Sequence, residues 1–307
     1  MRRRLALAAL LLLPTCGGSP SALSQGGEVG PAGAPALGVI PRIAVIVMEN
    51  REYDSVIGSS DAPFVNSLAQ RYGLASQAFA ITHPSLPNYL ALLGGSTLGI
   101  TSDCTDCGVD APSLVDQLQR AGISWRAYME SMPSACFEGA ESGLYAKKHN
   151  PFAYFEGIAG DPERCANVVP LTRLDPDLRS HRPPRFIWIS PNLCNDGHDC
   201  STATADGWLA REVPPLLEAL GSHGLLFLTW DEGKSDAGCC ASTAGGGHIA
   251  TVVAGPGARR GATLADPTDH YSILKTIEEL DGLPALGGAA CPCTTDLMRL
   301  VSVPDAK

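Results

Sequence analysis

Apolar and polar positions alternate in blocks along this chain. The segment 42–48 (RIAVIVM) is apolar almost without a break, as in a strand buried on both faces of a parallel sheet. Segments 185–190 (RFIWIS), 224–230 (GLLFLTW) and 248–255 (HIATVVAG) read the same way. Helical spacing lies between them. Segment 62–73 (APFVNSLAQRYG) stops at a glycine, and 86–95 (LPNYLALLGG) has Pro87 in its first turn. Segment 112–122 (PSLVDQLQRAG) precedes a strand, SWRAYM. The segment ADGWLAREVPPLLEAL (205–220) is helical with a break expected at Pro214-Pro215, and 269–280 (DHYSILKTIEEL) has Asp269 near its cap. The region 131–184 shows neither period and is expected to be an irregular insertion that shapes a site. No internal repeat is visible. Strand–helix alternation over this length predicts an α/β sandwich with a mostly parallel sheet.

The N-terminus changes this picture at one end. Residues 1–16 carry a basic start and an apolar run too short to span a bilayer, the pattern of a secretory signal. Cys16 follows Leu13-Pro14-Thr15 in a context that resembles a bacterial lipobox. Lipid anchoring at Cys16 is therefore expected, with ordinary secretion as the alternative and no other membrane attachment. Residues 17–38, rich in Gly, Ser, Pro and Ala, read as a flexible tether, and 39–303 as one domain. Of 11 cysteines, setting Cys16 aside leaves an even ten. In an exported chain that predicts five disulfides. The cysteines fall in close pairs: 104/107, 136/165, 194/200, 239/240 and 291/293. Their connectivity stays open, and the vicinal Cys239 and Cys240 are expected to pair elsewhere, because a bridge between neighbours is strained. A formal net charge of −10 excludes a nucleic-acid scaffold and an anionic-membrane binder. It leaves room for a small phosphorylated substrate held by a local cation.

Candidate chemistry gathers where strands end. Glu49-Asn50 follow the strand 42–48, Asn192 to His198 follow 185–190, and Asp231-Glu232 follow 224–230. Ligands of open α/β sheets bind beyond the carboxyl ends of strands. Any one cluster alone would be a solvated turn; three in the same place indicate a site. Glu49, Asn50, Asp231 and Glu232 are hard oxygen donors suited to a divalent cation. Carboxylates so close and so near the core repel each other unless a cation neutralises them. Ser85, between Pro84 and Pro87, precedes a helix whose first-turn N–H groups attract anions. From that segment alone an N-cap is the simpler reading. The histidines favour a nucleophile. His83, His149, His198, His248 and His270 sit among these motifs, where phosphate contact, acid catalysis or metal ligation are open to them. His181 and His223 look like surface, and His248 reaches the site only if its strand runs antiparallel or the Gly-rich loop before it folds over.

Taken in order, MENREYDSVIG, HPSLPNYLALLGG, KKHNPFAYF, SPNLCNDGHDCS, LTWDEG, GGGHIATVVAGPG and DHYSILKTIEEL resemble the phosphoesterase family. That family contains acid phosphatases and bacterial and plant phospholipases C and is a branch of the alkaline phosphatase superfamily. The resemblance runs from about residue 42 to 281. It implies an alkaline-phosphatase-like, three-layer α/β/α sandwich for the domain 39–303. It implies Ser85 as nucleophile and Glu49, Asn50, Asp231, Glu232 and Ser85 as the shell of a divalent metal, one ion rather than two. Asn88, Asn195, Asp196 and His248 match phosphate-contacting positions, and His149 and His198 acid–base positions. Phospholipases of the family carry P-N-R and D-E-H where this chain has Pro87-Asn88-Tyr89 and Asp231-Glu232-Gly233. The expectation is an exported, monomeric, metal-dependent acid phosphatase. It would hydrolyse small phosphate monoesters through a phosphoseryl intermediate, fastest roughly between pH 5 and 7. A phosphodiesterase or phospholipase C is the alternative, and a non-catalytic metal-binding surface lipoprotein the reading from another class.

Overall fold

The computed structural model describes residues 41–180, 182–240 and 245–302. The expected signal (1–16), Cys16 and the tether (17–38) lie outside the described residues, as does His181. Along the chain come β1 (Ile43–Met48), α1 (Pro63–Arg71), β2 (Gly73–Phe79), α2 (Ser85–Gly94), α3 (Leu114–Arg120) and β3 (Trp125–Met129). A small hairpin follows, β4 (Glu141–Ser142) and β5 (Tyr145–Ala146), then α4 (Glu156–Ala159), α5 (Pro162–Cys165), β6 (Val168–Pro170) and α6 (Leu174–Leu178). The last elements are β7 (Phe186–Ser190), α7 (Thr202–Leu220), β8 (Leu225–Trp230), β9 (His248–Ala254), β10 (Thr263–Leu264), β11 (Thr268–Asp269) and α8 (His270–Asp281).

One sheet of nine strands, in the order β10-β2-β9-β8-β1-β7-β3-β6 with β11 also on β2, forms the centre. Only the pairings of β9 with β2 and β8 are antiparallel; β1 pairs parallel with β7 and β8. Every residue of β1, β7 and β8 is buried, so both faces of the middle strands are covered. The helices pack in two sets, α1 with α7 and α2 with α3 and α8. The fold is the expected α/β/α sandwich.

Several boundaries differ from expectation for local reasons. Gly73 does not cap α1; the helix ends at Arg71 and Gly73 opens β2. The sequence of β2, GLASQAF, lacks the β-branched residues that mark a strand, and its pairing with β9 and β10 supplies what propensity does not. Helix α7 is unbroken across Pro214-Pro215. Both prolines are on the exposed side, between buried Val213 and Leu216, where water can take the two carbonyls they leave unbonded. The region 131–184 is made of short pieces, as expected, and delivers Lys148 and His149 on a 3₁₀ turn. All five expected disulfides form, each within its close pair. Cys239 and Cys240 therefore correct the expectation: they bond to each other across a Cα separation of 3.8 Å. The other eight described cysteines close locally and leave neither a second partner.

Helix α8 offers a test of the core's electrostatics away from any site. Glu278 accepts the Leu286 N–H at 2.9 Å, its other carboxyl oxygen has no hydrogen-bond partner, and the side chain is buried. Burial pushes this carboxyl from 4.5 up to about 7. Between those values the folded chain holds a proton that the unfolded chain has lost, so stability falls as pH rises through this window. Glu278→Gln keeps the acceptor and removes the titration. The variant should therefore gain more stability at pH 8 than at pH 5, read from denaturant midpoints. An equal change at both values would show that Glu278 does not titrate there.

Candidate active site

Register places the first acidic groups. Strands β1 and β8 are parallel neighbours with Met48 opposite Trp230, so Glu49 and Asp231 leave the sheet side by side. The Asp231 N–H donates to the Met48 carbonyl at 2.8 Å. Asn50 turns the chain at φ +47, a region asparagine tolerates better than most residues. That turn lets its N–H donate to Asp231 Oδ1 at 3.0 Å. On the other side of β1, the loop after β7 returns Asp196, whose carbonyl accepts the Glu49 N–H at 3.0 Å. Glu49, Asp196 and Asp231 are all at most 1% exposed.

Ser85 enters from above on α2, a helix buried along its whole length and so fixed by packing on every side. Ser85 is its first residue and Pro84, which has no capping side chain, is the N-cap. The N-cap reading of Ser85 is thereby corrected: it lies inside the helix, and its hydroxyl donates to Glu49 Oε2, at 3.2 Å. Tyr89, one turn on, donates its hydroxyl to Glu49 Oε1, as i and i+4 residues share a face. Asn88 uses both ends of its amide on the loop before the helix. Its Oδ1 accepts the N–H groups of Ile81 and Thr82, and Nδ2 donates to the carbonyls of Thr82 and Pro84.

The histidines divide. His149 is buried, with Nε2 3.3 Å from Glu49 Oε1 and Nδ1 3.2 Å from Asp196 Oδ2. Nε2 and Oδ2 nonetheless lack an aligned hydrogen bond. His198 is half-buried, its Nδ1 2.7 Å from Asp199 Oδ1 and its Nε2 3.2 Å from Lys148 Nζ. His83 pairs with Glu232 at 2.6 Å. His248 begins β9, which runs antiparallel as required. Its ring stacks on Tyr53 and Phe79 and its Nε2 meets the Ser76 carbonyl at 3.0 Å. His270 bonds the Trp230 carbonyl at 3.0 Å from the start of α8. Asn195 donates to Glu130 at 2.9 Å. Ser85, Glu49, Asn50, Asp231, Asp196, His149 and His198 thus form one cluster. The side-chain partners of Asn88, Asn195 and His248 lie outside it.

The electrostatics of this cluster ask for a cation. Burial, reinforced by Asp231 and Asp196, holds the Glu49 carboxyl well above the usual range. Burial also raises Asp231, and brings Asp196 and, with help from Asp231, Glu232 to about 7. Burial lowers His149 to about 3, leaving a neutral imidazole. Asp231 Oδ2 lacks an aligned hydrogen bond in a fully buried site, with Glu49 and Ser85 as side-chain neighbours stabilising its carboxylate, a costly state that a metal would relieve. Donor atoms of Glu49, His149 and His198 lie within 4.8 Å of one another. Oxygen donors from Glu49, Asn50, Asp231 and Ser85 beside this set fit a divalent cation.

Four participants were not visible in the sequence as site residues. Tyr89 stands where the phospholipases have arginine, and its i+4 spacing from Ser85 was the available signal. Lys148 is adjacent to His149. Asp103, beside Cys104, carries no signal at all, yet its Oδ1 accepts the Leu86 N–H at 2.9 Å. Glu52 accepts from the backbone of Lys234, Ser235 and His248. This bears on Gly233: a Cβ there would overlap the Glu52 carboxylate and lie 3.1 Å from the Gly247 Cα, so a side chain at 233 would have to push Glu52 off these backbone bonds.

Residues 59–284 match the phosphoesterase family. The chain is 36% identical over 294 residues to the phosphatidylinositol-3-phosphatase of Mycobacterium tuberculosis, covering 95% of this chain and 91% of that one. It is 32% identical over 271 residues to the phosphate-repressible acid phosphatase of Penicillium chrysogenum, covering 85% of this chain but only 63% of the fungal one. A solved structure from Vibrio parahaemolyticus, a protein in the alkaline phosphatase superfamily, shares the fold. Its TM-score is 0.56 at 11% identity, over 83% of this chain and 71% of that one.

Proposed function

The chain belongs to the phosphoesterase family of phosphoric-ester hydrolases, and from that premise we propose that it is a metal-dependent acid phosphatase acting on phosphate monoesters. One observation carries the proposal: a buried serine at a helix N-terminus, its hydroxyl 3.2 Å from Glu49 in a cluster of carboxylates. Ser85 Oγ attacks phosphorus, the bond from phosphorus to the leaving oxygen breaks, and a phosphoseryl enzyme results. The serine proton already has an acceptor in Glu49. A divalent cation held by Glu49, Asn50, Asp231 and Ser85, with Glu232 beside it, activates hydroxyl oxygens and offsets anionic charge when bound. Water then attacks the phosphoserine, releasing phosphate and restoring the hydroxyl.

His198 suits leaving-group protonation better than His149. Asp199 holds its Nδ1, which orients the ring as a carboxylate orients a catalytic histidine. Buried, neutral His149 suits a ligand or a hydrogen-bonding role. Asn88 and Asn195 hold the loops that shape the site, and a phosphate contact from either would require it to leave its present partners. Gly233 and Tyr89, where the phospholipases have histidine and arginine, favour monoesters over phospholipase substrates. The five bridges support export to an oxidising compartment, and among the described residues no helix is long and apolar enough to cross a membrane.

The test is a substrate panel on the purified chain before and after chelation. It comprises p-nitrophenyl phosphate, an alkyl phosphate, phosphatidylinositol 3-phosphate, bis-p-nitrophenyl phosphate and phosphatidylcholine. Monoesters should be turned over fastest, with a maximum on the acid side of neutral, and chelation should stop the reaction. His198→Gln should slow the alkyl phosphate by roughly 10²-fold or more and p-nitrophenyl phosphate much less, since p-nitrophenolate leaves without a proton. Equal losses on both would remove His198 from the acid role.

A further inference from the structure

Lys148 is a cation beside a site crowded with carboxylates. Its side chain is 22% exposed, and Nζ lies 3.1 Å from Asp103 Oδ2 and 3.2 Å from His198 Nε2. The same Asp103 accepts the N–H of Leu86, the residue after Ser85. One carboxylate therefore joins the ammonium to the N-terminus of the nucleophile's helix, and His198 joins it to Glu49 and His149. The two neighbouring cations are differently engaged. Arg51 gives its guanidinium to Thr202 Oγ1 and to the carbonyls of Asn50 and Cys200, and Lys147 turns to the Thr105 carbonyl.

We propose that Lys148 sets the preference of this site for monoesters over diesters, by binding the anionic oxygen that a monoester has and a diester lacks. The inference rests on the phosphatase reading of the Ser85 site. A monoester near neutral pH brings close to two negative charges and a diester one. Glu49, Asp231, Asp196, Asp103 and Glu232 all oppose the second charge. An ammonium tied through Asp103 to the N-terminus of the nucleophile's helix counters that opposition, and phosphate is an anion that lysine binds as a point charge. Asp103 acts as a positioning residue: it aims the ammonium, and its carboxylate is the anion that substrate replaces there.

The experiment compares kcat/KM for p-nitrophenyl phosphate and bis-p-nitrophenyl phosphate in the wild type, Lys148→Met, Lys148→Gln and Lys148→Arg. It adds inhibition by inorganic phosphate, with metal content and thermal midpoint checked in each. In Lys148→Met the monoester-to-diester ratio should fall by at least about tenfold, the scale of a lost hydrogen bond to a charged group, and phosphate should inhibit less. Lys148→Arg should recover part of both. A parallel fall for the two substrates, or unchanged phosphate inhibition, would reduce Lys148 to a structural tie and overturn the proposal. If Lys148→Met does not fold, the same ratio in Lys148→Gln decides. Failure of the underlying reading looks different, because Ser85→Ala would then keep wild-type turnover of both esters.

Discussion

Ser85→Ala is expected to reduce phosphoester turnover by three or more orders of magnitude, roughly the scale seen when a catalytic nucleophile is removed, while the protein stays folded. The two halves of this expectation have separate causes. Turnover depends on an oxygen at one position, held by a helix with no exposed face, and no other described hydroxyl shares its place: Tyr89, the nearest by contact, donates to the same Glu49 from one turn deeper. Stability depends on little that the serine does. It caps nothing, and its hydroxyl bonds Glu49, a carboxylate that Tyr89 and Asn50 also reach, so the cost should be about 1 kcal/mol. Single-turnover measurement with p-nitrophenyl phosphate, beside circular dichroism and a denaturation midpoint, separates the two. A folded variant with near-normal turnover would place the nucleophile elsewhere.

The features that sequence reasoning reached were those with a short-range signature. Continuous apolar runs marked β1, β7 and β8, and polar residues directly after them marked the end of the sheet where Glu49, Asp196 and Asp231 meet. The proline-flanked Ser85 and the ordered set of motifs pointed to the same chemistry. The features it missed depend on contacts distant in sequence. Strand β2 is built from Gly, Ala, Ser and Gln and exists because β9, β10 and β11 pair with it. Asp103 reaches Leu86 only because the loop holding the Cys104–Cys107 bridge folds back over α2. Asn88 matched a motif for phosphate contact, but the motif carries no record of the four backbone groups around it. The Cys239–Cys240 bridge forms despite the general cost of vicinal pairing, because the other described cysteines close locally and leave neither a second partner.

Asp231→Asn should abolish activity, and its effect on stability should reverse sign with the metal. Asp231 Oδ1 accepts the Asn50 N–H, and an asparagine oxygen can keep that bond. What the substitution removes is a buried negative charge that raises the neighbouring Glu49 and Glu232 carboxyls. With the cation chelated, relief of that repulsion should leave Asp231→Asn at least as heat-resistant as the wild type. With a divalent cation present, the wild type should gain stability through binding, about 2.7 kcal/mol at a hundredfold excess over Kd. The variant should gain little, because one of the site's anionic oxygens has gone. Thermal midpoints of both proteins, with chelator and with added divalent metal, give the comparison, and elemental analysis gives the metal content. The outcome that defeats this account is an Asp231→Asn protein that binds a stoichiometric divalent ion as the wild type does, or that is strongly destabilised in chelator. Either would mean that the carboxylate supports the fold rather than a cation, and that the crowding of Glu49, Asp196 and Asp231 is resolved by shared protons instead.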